Sequence, residues 1–229
     1  MTKISILDWV ALGWFLVAWA GYGWFSENSR WAAKGLMDVS HRYRLQWARE
    51  LLIREVRVTD ASLVGNLMQS VSFYANTTIY IIAGLLAVLG ALDQVIRFAA
   101  DLPFARETSR ELSELKLVLL LTVFVVAYFK FTWSLRQFNM LSILIGASPS
   151  GVSGAVAEAA AQRLAMVNSL AGDEFNRGIR AYYFGLAAVA WFIQPWLFLL
   201  VTTVIVVVLY RRDFASSVLT SLASEMDRT

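Results

Sequence analysis

Between Leu67 and Leu92 the chain runs 26 residues, LMQSVSFYANTTIYIIAGLLAVLGAL, without a charged side chain. A run this long and apolar matches the roughly 20 residues that carry a helix across a bilayer core of about 30 Å. Inside that core a helix satisfies its own backbone groups, which open strands and loops do not. The polar residues of the run are not scattered. At about 100° per residue, Gln69, Ser70, Asn76, Thr77, Tyr80 and Gly84 fall within roughly 80° of the direction of Asn66. Leu85, Val88, Leu89 and Leu92 cover much of the rest. Because a lone amide is costly in hydrocarbon, this stripe has to face protein or water. It serves either as hydrogen-bonding glue between helices or as the lining of a water-filled path.

The rest of the composition agrees with a membrane protein. Apolar residues make up 58% of the 229-residue chain, with nine Trp and fourteen Phe, and the mean hydropathy is +0.57. A soluble domain is nearer 45–50% apolar. Charges cluster between apolar runs, so the fold class expected is an all-α integral membrane protein forming one membrane domain. Without cysteine, disulfides, thiolate metal sites and Cys nucleophiles are excluded. A single histidine, His41, excludes a multi-histidine metal cluster, and no cofactor is expected. The net charge of +3, with no compact basic and aromatic patch, argues against nucleic acid. The start, MTKISILDW, has one Lys and no small-residue cleavage site after the apolar run, so the first helix is expected to be retained.

Four transmembrane helices are expected, over about 6–25, 67–92, 115–135 and 182–210, with amphipathic helices over about 41–60 and 155–172. Gly13, Gly21 and Gly23 of the first leave room for a neighbouring helix. In the 41–60 segment Glu50 and Arg54 form a favourable i,i+4 pair. That segment either continues into helix two as one rod or lies in the membrane surface. Leu102-Pro103-Phe104 turns the chain, and Ser109 or Thr108 caps a helix starting near Arg110. Gly146 and Pro149 end the apolar run after helix three, and Gln194-Pro195 bends helix four. The segments 26–66 and 134–181 hold eleven Lys and Arg, against eight in the N-tail, the short loop with Lys116 and the C-tail. The positive-inside rule then places the long segments in the cytoplasm and both termini outside, although Arg211-Arg212 pulls the other way.

Several of these residues carry a family resemblance. They include Trp14-Phe15 to Gly21-Tyr22, then His41-Arg42-Tyr43-Arg44 with Arg54 and Asp60. Phe129-Lys130-Phe131-Thr132-Trp133-Ser134-Leu135-Arg136 with Phe138-Asn139 continues it, as do Phe175-Asn176-Arg177-Gly178, Arg180-Ala181-Tyr182, Pro195-Trp196 and Tyr210-Arg211-Arg212. Over nearly the whole chain the sequence resembles an uncharacterised family of bacterial and plant integral membrane proteins, DUF599. The resemblance implies a four-helix protein of the bacterial inner membrane and carries over no catalytic role.

The matched polar residues fall toward one membrane face. His41, Arg42, Arg44, Arg54, Asp60, Lys130, Arg136, Asn139, Asn176, Arg177 and Arg180 there make either an electropositive vestibule that gathers anions or structural ion pairs with Glu50, Glu55, Asp60, Asp173 and Glu174. Lys130 snorkels to the interface, pairs with Asp60 or Glu55, or lines a pore. His41 is expected at the interface or in a hydrogen bond, with a proton-sensitive switch as the alternative. Four helices are too few to enclose a route for a large solute. The functional expectation is therefore a homo-oligomeric channel for small ions, possibly anions, in the bilayer. Asn66, Gln69, Ser70, Asn76, Thr77 and Tyr80 line its path. The alternative is a membrane scaffold whose cytoplasmic helices bind a partner protein. An enzyme is not expected, since no nucleophile with a base and no metal-ligand set is apparent.

Overall fold

A computed structural model describes residues 5–28, 35–100, 109–151, 153–217 and 219–221. Among these, every regular element is helical: α1 Ile6–Asn28, α2 Leu36–Ile53, α3 Val58–Gly90, α4 Leu92–Ala100, α5 Arg110–Ala147, α6 Gly154–Ile193 and α7 Pro195–Phe214. Three helices, α1, α3 and α5, are long and apolar enough to cross a membrane. The expected turn at Leu102-Pro103-Phe104 lies outside the described residues.

The helix boundaries differ from expectation in instructive places. Helix three does not stop at Leu135 but runs on as α5 to Ala147, about 57 Å at 1.5 Å per residue. Nothing between Leu135 and Met140 breaks a helix; only the charge density had marked an end. The same holds for α6. The Ala-rich stretch expected over 155–172 is the first half of one 40-residue helix whose second half enters the expected helix four. That fourth helix is instead divided at Gln194, which is extended at φ −152°, ψ 141°. Proline removes an N–H and pushes the residue before it out of helical geometry, and Pro195 is the first residue of α7. Ser109 caps α5 as expected, its side chain accepting from the Leu112 N–H at 3.3 Å. Between α5 and α6 the chain turns through left-handed Gly151 (φ 70°) and Gly154 (φ 68°), where a side chain would be strained.

The 41–60 segment is neither one rod nor one amphipathic helix. It breaks at Arg54, which is extended at ψ 133°, and α3 begins at Val58. The turn is stitched by Asp60, fully buried in the first turn of α3. Its carboxylate accepts from Trp47 Nε1 at 2.7 Å and Arg54 Nη1 at 2.6 Å. Arg54 thus pairs with Asp60 and not with Glu50, because the break swings it away from its own helix. Nearby, Arg57 donates to the carbonyls of Ile145, Ser148 and Pro149 at 2.6–2.9 Å. It thereby satisfies acceptors that the end of α5 would leave orphaned.

Contacts along the helices fix their directions. Asp8 of α1 accepts from Trp191 of α6 at 2.9 Å, Phe15 packs edge-on against Phe184, and Arg180 donates to Ser26 at 2.6 Å, so α1 and α6 are antiparallel. Tyr22 bonds Asp213 at 2.6 Å and Trp14 bonds Thr203 at 3.2 Å, so α1 and α7 run parallel. Likewise α5 is antiparallel to α6, through Lys130–Glu174 and Ser134 to the Ala171 carbonyl, and to α3, through Tyr74 stacked on Phe131. The start of α1 and the end of α7 therefore sit at opposite ends of the bundle.

Close packing depends on glycines other than those expected. A methyl at Gly13, Gly21 or Gly23 of α1 would meet nothing within 4 Å. On α6, a methyl at Gly178 would run into the Phe131 ring, and one at Gly185 would sit 2.9 Å from Phe124. Small residues on α6 let the bulky rings of α5 reach its backbone.

Candidate functional site

The bundle has two halves, separated by a layer of charge. On one side lie α1, α7, the second half of α6, the first part of α5 and the latter part of α3, rich in exposed Trp, Leu, Val and Phe. On the other lie α2, the first half of α6, the end of α5 and the start of α3. There α2 seats antiparallel on α6: His41 Nδ1 is 2.8 Å from Ser169 Oγ, and Arg49 binds Glu158 through two bonds of 2.7 and 2.9 Å. Burial of Val39, Ala48, Leu51 and Leu52 holds the helix down.

In the layer itself, Glu27 at the end of α1 accepts from Arg177 at 2.8 and 2.9 Å and from Arg180 at 2.9 Å. Glu174 pairs with Arg177, one turn on, and with Lys130 of α5 at 3.0 Å. Glu174 and Arg180 are 7% and 8% exposed, so these are desolvated charges that need each other. Lys130 thus takes Glu174 as its partner, not Asp60 or Glu55, which belong to the α2–α3 turn.

Beside this network lies a cavity of about 250 Å³ between α2, α6 and α7, lined by Arg44, Arg180, Arg212, Asp173, Asn176 and Tyr183 among others. A second, of about 350 Å³, opens on its other side between α1, α5 and α6, lined by Glu27, Lys130, Arg177 and Arg180. Arg180 is the wall between them. Arg212 donates to the Tyr183 hydroxyl and lies over its ring at 5.3 Å. Burial pushes the Arg44 guanidinium down from its ordinary range, opposed by the charge of Asp173. Burial likewise holds the Asp173 carboxyl up, against the pull of Arg44, Arg177 and Arg180.

Of the expected vestibule, Arg44, Lys130, Asn176, Arg177 and Arg180 come together here. Arg54 and Asp60 form the separate α2–α3 turn. Arg42 pairs on the surface with Asp38 at 2.9 Å, Arg136 lies over the Trp133 ring at 5.6 Å, and Asn139 is exposed on α5. Glu27, Tyr22, Tyr183, Arg212 and Asp213 belong to the site but were not anticipated. An even number of crossings put the C-terminal Arg211-Arg212-Asp213 on the far face, although the misplaced arginine pair was itself the signal.

The polar stripe on α3 is turned outward. Val64, Val71, Ala75 and Thr78 are the buried face of that part of the helix. Asn66, Gln69, Ser70, Asn76, Thr77 and Tyr80 lie within about 70° of the opposite direction at 100° per residue. All are exposed except the half-buried Thr77. Only 17% of the most apolar window of α3 is buried, against 44% for α5. Ser70 and Thr77 bond the carbonyls of Asn66 and Phe73 on their own helix. Since Arg57 reaches Ile145 and Tyr74 stacks on Phe131, Asn66, Gln69 and Ser70 lie on the α2 side of the charged layer. Asn76, Thr77 and Tyr80 lie beyond it.

Among the described residues no group of three or more His, Cys, Asp or Glu is placed to hold a metal ion. No curated protein and no solved structure matches the chain. A family model described as a protein of unknown function does match, over residues 10–218. With most of α1, the charged layer and both ends of α6 inside that match, the chain belongs to the DUF599 family.

Proposed function

We propose that this is a multi-pass protein of the bacterial inner membrane that self-associates through α3 and forms a path for small ions. Five crossings fit the helix directions better than four: α1, the latter part of α3, the first part of α5, α6 from about Gly178, and α7. Each stretch is about 16–20 residues, near the span of the hydrocarbon core. The charged layer then marks the cytoplasmic boundary. Arg42, Arg44, Arg49, Arg54, Arg57, Arg136, Arg163, Arg211 and Arg212 all fall on its α2 side, against Arg97, Arg110 and Lys116 at the other end. The N-terminus is outside and the C-terminus inside.

The observation that carries the reading is the outward stripe on α3. Asn76 and Tyr80 sit at membrane depth with no described helix of their own chain covering them, and Ala83, Gly84 and Ala87 continue the same face as small residues. A second copy would cover the amides and let the helices approach closely. Around a symmetry axis the same faces enclose a polar path, with Asn66, Gln69 and Ser70 at its cytoplasmic mouth. The arginine excess on that side favours anions.

The decisive experiment is the protein mass in detergent, corrected for bound detergent, followed by chloride and potassium flux from liposomes. A single oligomer of three or more copies is expected, with Asn76→Leu changing flux while the mass is unchanged. A monomer without flux overturns the reading. The scaffold alternative draws on the extramembrane half, where α2 and the start of α6 present a separate helical surface.

A further inference from the structure

The cavity between α2, α6 and α7 is independent of α3 and has features that a purely structural ion-pair network does not need. Three guanidiniums from three different helices line it: Arg44, Arg180 and Arg212. Two are already engaged, Arg180 with Ser26 and Glu27 and Arg212 with Tyr183. Arg44 makes no hydrogen bond or ion pair with any described residue. It is nevertheless largely withdrawn from solvent, and its guanidinium lies where a methyl on Gly172 would collide with it. A glycine at that position leaves room for a fork-shaped cation that no described residue hydrogen-bonds, with the Asp173 charge as its opposing neighbour.

We propose that this cavity binds a phosphate group, gripped by Arg44 and Arg212 with Arg180 behind them. Guanidinium forks match phosphate oxygens in geometry and charge. Ser40 and Asn176 in the wall supply neutral hydrogen-bond donors. Two carboxylates also face the space, and they set the limits of affinity. Asp213 is held by the Tyr22 hydroxyl, whereas Asp173 has no hydrogen-bonded partner among the described residues and opposes an incoming anion. At about 250 Å³ the cavity is at the lower edge of the ~300–1,000 Å³ of sites for drug-sized ligands, a size that fits a phosphate with a short appendage. Leu36, Met37 and Leu209 form an apolar margin next to the arginines. The phosphate is therefore free in the cytoplasm or borne on a lipid at the membrane boundary, where this cavity lies.

The test is calorimetric titration and thermal unfolding of the full chain in a maltoside detergent, which carries no phosphate of its own. Inorganic phosphate is one probe and phosphatidic acid doped into the micelles is the other. Saturable binding of phosphate assigns the free ion. Binding of phosphatidic acid alone assigns the lipid. Either supports the proposal if Arg44→Gln weakens it roughly tenfold, as loss of a charge-assisted contact should, while Arg42→Gln at the surface leaves it unchanged. Asp173→Asn should tighten binding, so the proposal stays testable even if Arg44→Gln does not fold. Binding of neither probe, equal effects of Arg44→Gln and Arg42→Gln, or no gain in Asp173→Asn overturns it. None of these readouts involves ion flux, so the cavity and the α3 path stand or fall separately.

Discussion

Two helices in this molecule carry small and polar residues along one face, and they use them in opposite ways. On α6 that face is turned inward: Ala171, Gly178, Ala181 and Gly185 are buried, and the Phe124 and Phe131 rings fill the space above them. On α3 the face of Asn66, Asn76, Tyr80, Gly84 and Ala87 looks away from the other described helices. Small residues in a membrane helix thus license a close approach without saying whose. On α6 the partner is α5 of the same chain. On α3 the described helices of the chain leave that face uncovered.

The contrast can be broken most directly at Asp60. Asp60→Ala removes the acceptor of Trp47 and of the partly exposed Arg54 and empties a fully buried position, which should cost about 1–3 kcal/mol. Unfolding of the purified protein would show whether the α2–α3 turn supports the inward packing. Close to this in size, Gly178→Ala drives a methyl into the Phe131 ring and should cost about 1–3 kcal/mol. Gly84→Ala, in open space, should stay within about 0.5 kcal/mol in a monomer. Equal losses from the two glycine variants would show that α3 is packed as α6 is.

Smaller effects sharpen the comparison. Asn76→Leu should leave the thermal midpoint of the dispersed monomer unchanged and alter only mass or flux, because its exposed amide has no hydrogen-bond partner among the described residues. The last prediction concerns pH. Burial raises the Asp173 carboxyl, so its contribution to stability is present below the unfolded pKa of about 3.9 and is lost as pH rises through the folded value. At neutral pH Asp173→Asn should therefore unfold at a slightly higher temperature than the natural chain, and the difference should close toward pH 4. A gap that widens on acidification would contradict the desolvated site.

The amino-acid sequence determined a good deal unaided. Apolar runs with no charge dictate membrane helices, because hydrocarbon tolerates little else. Ser109 before Arg110 marks a helix start, and Gln194-Pro195 marks a bend, which the fold sharpens into a break between α6 and α7. The clustering of Arg44, Lys130, Arg177 and Arg180 toward one face was legible as well, since Lys130 lies near the end of one apolar run, Arg177 and Arg180 just before another, and Arg44 in a charged segment on that same side. Tertiary structure decided the rest. No local signal breaks the helix at Arg54; a buried carboxylate six residues on does, by drawing Arg54 and Trp47 to it. The continuity of α5 and α6 through charged stretches depends on helices from elsewhere in the chain shielding Glu174 and Arg180. And the direction in which α3 turns its polar stripe follows from which of its faces the α5 rings can fill, a choice made by shape across about 60 residues of intervening chain.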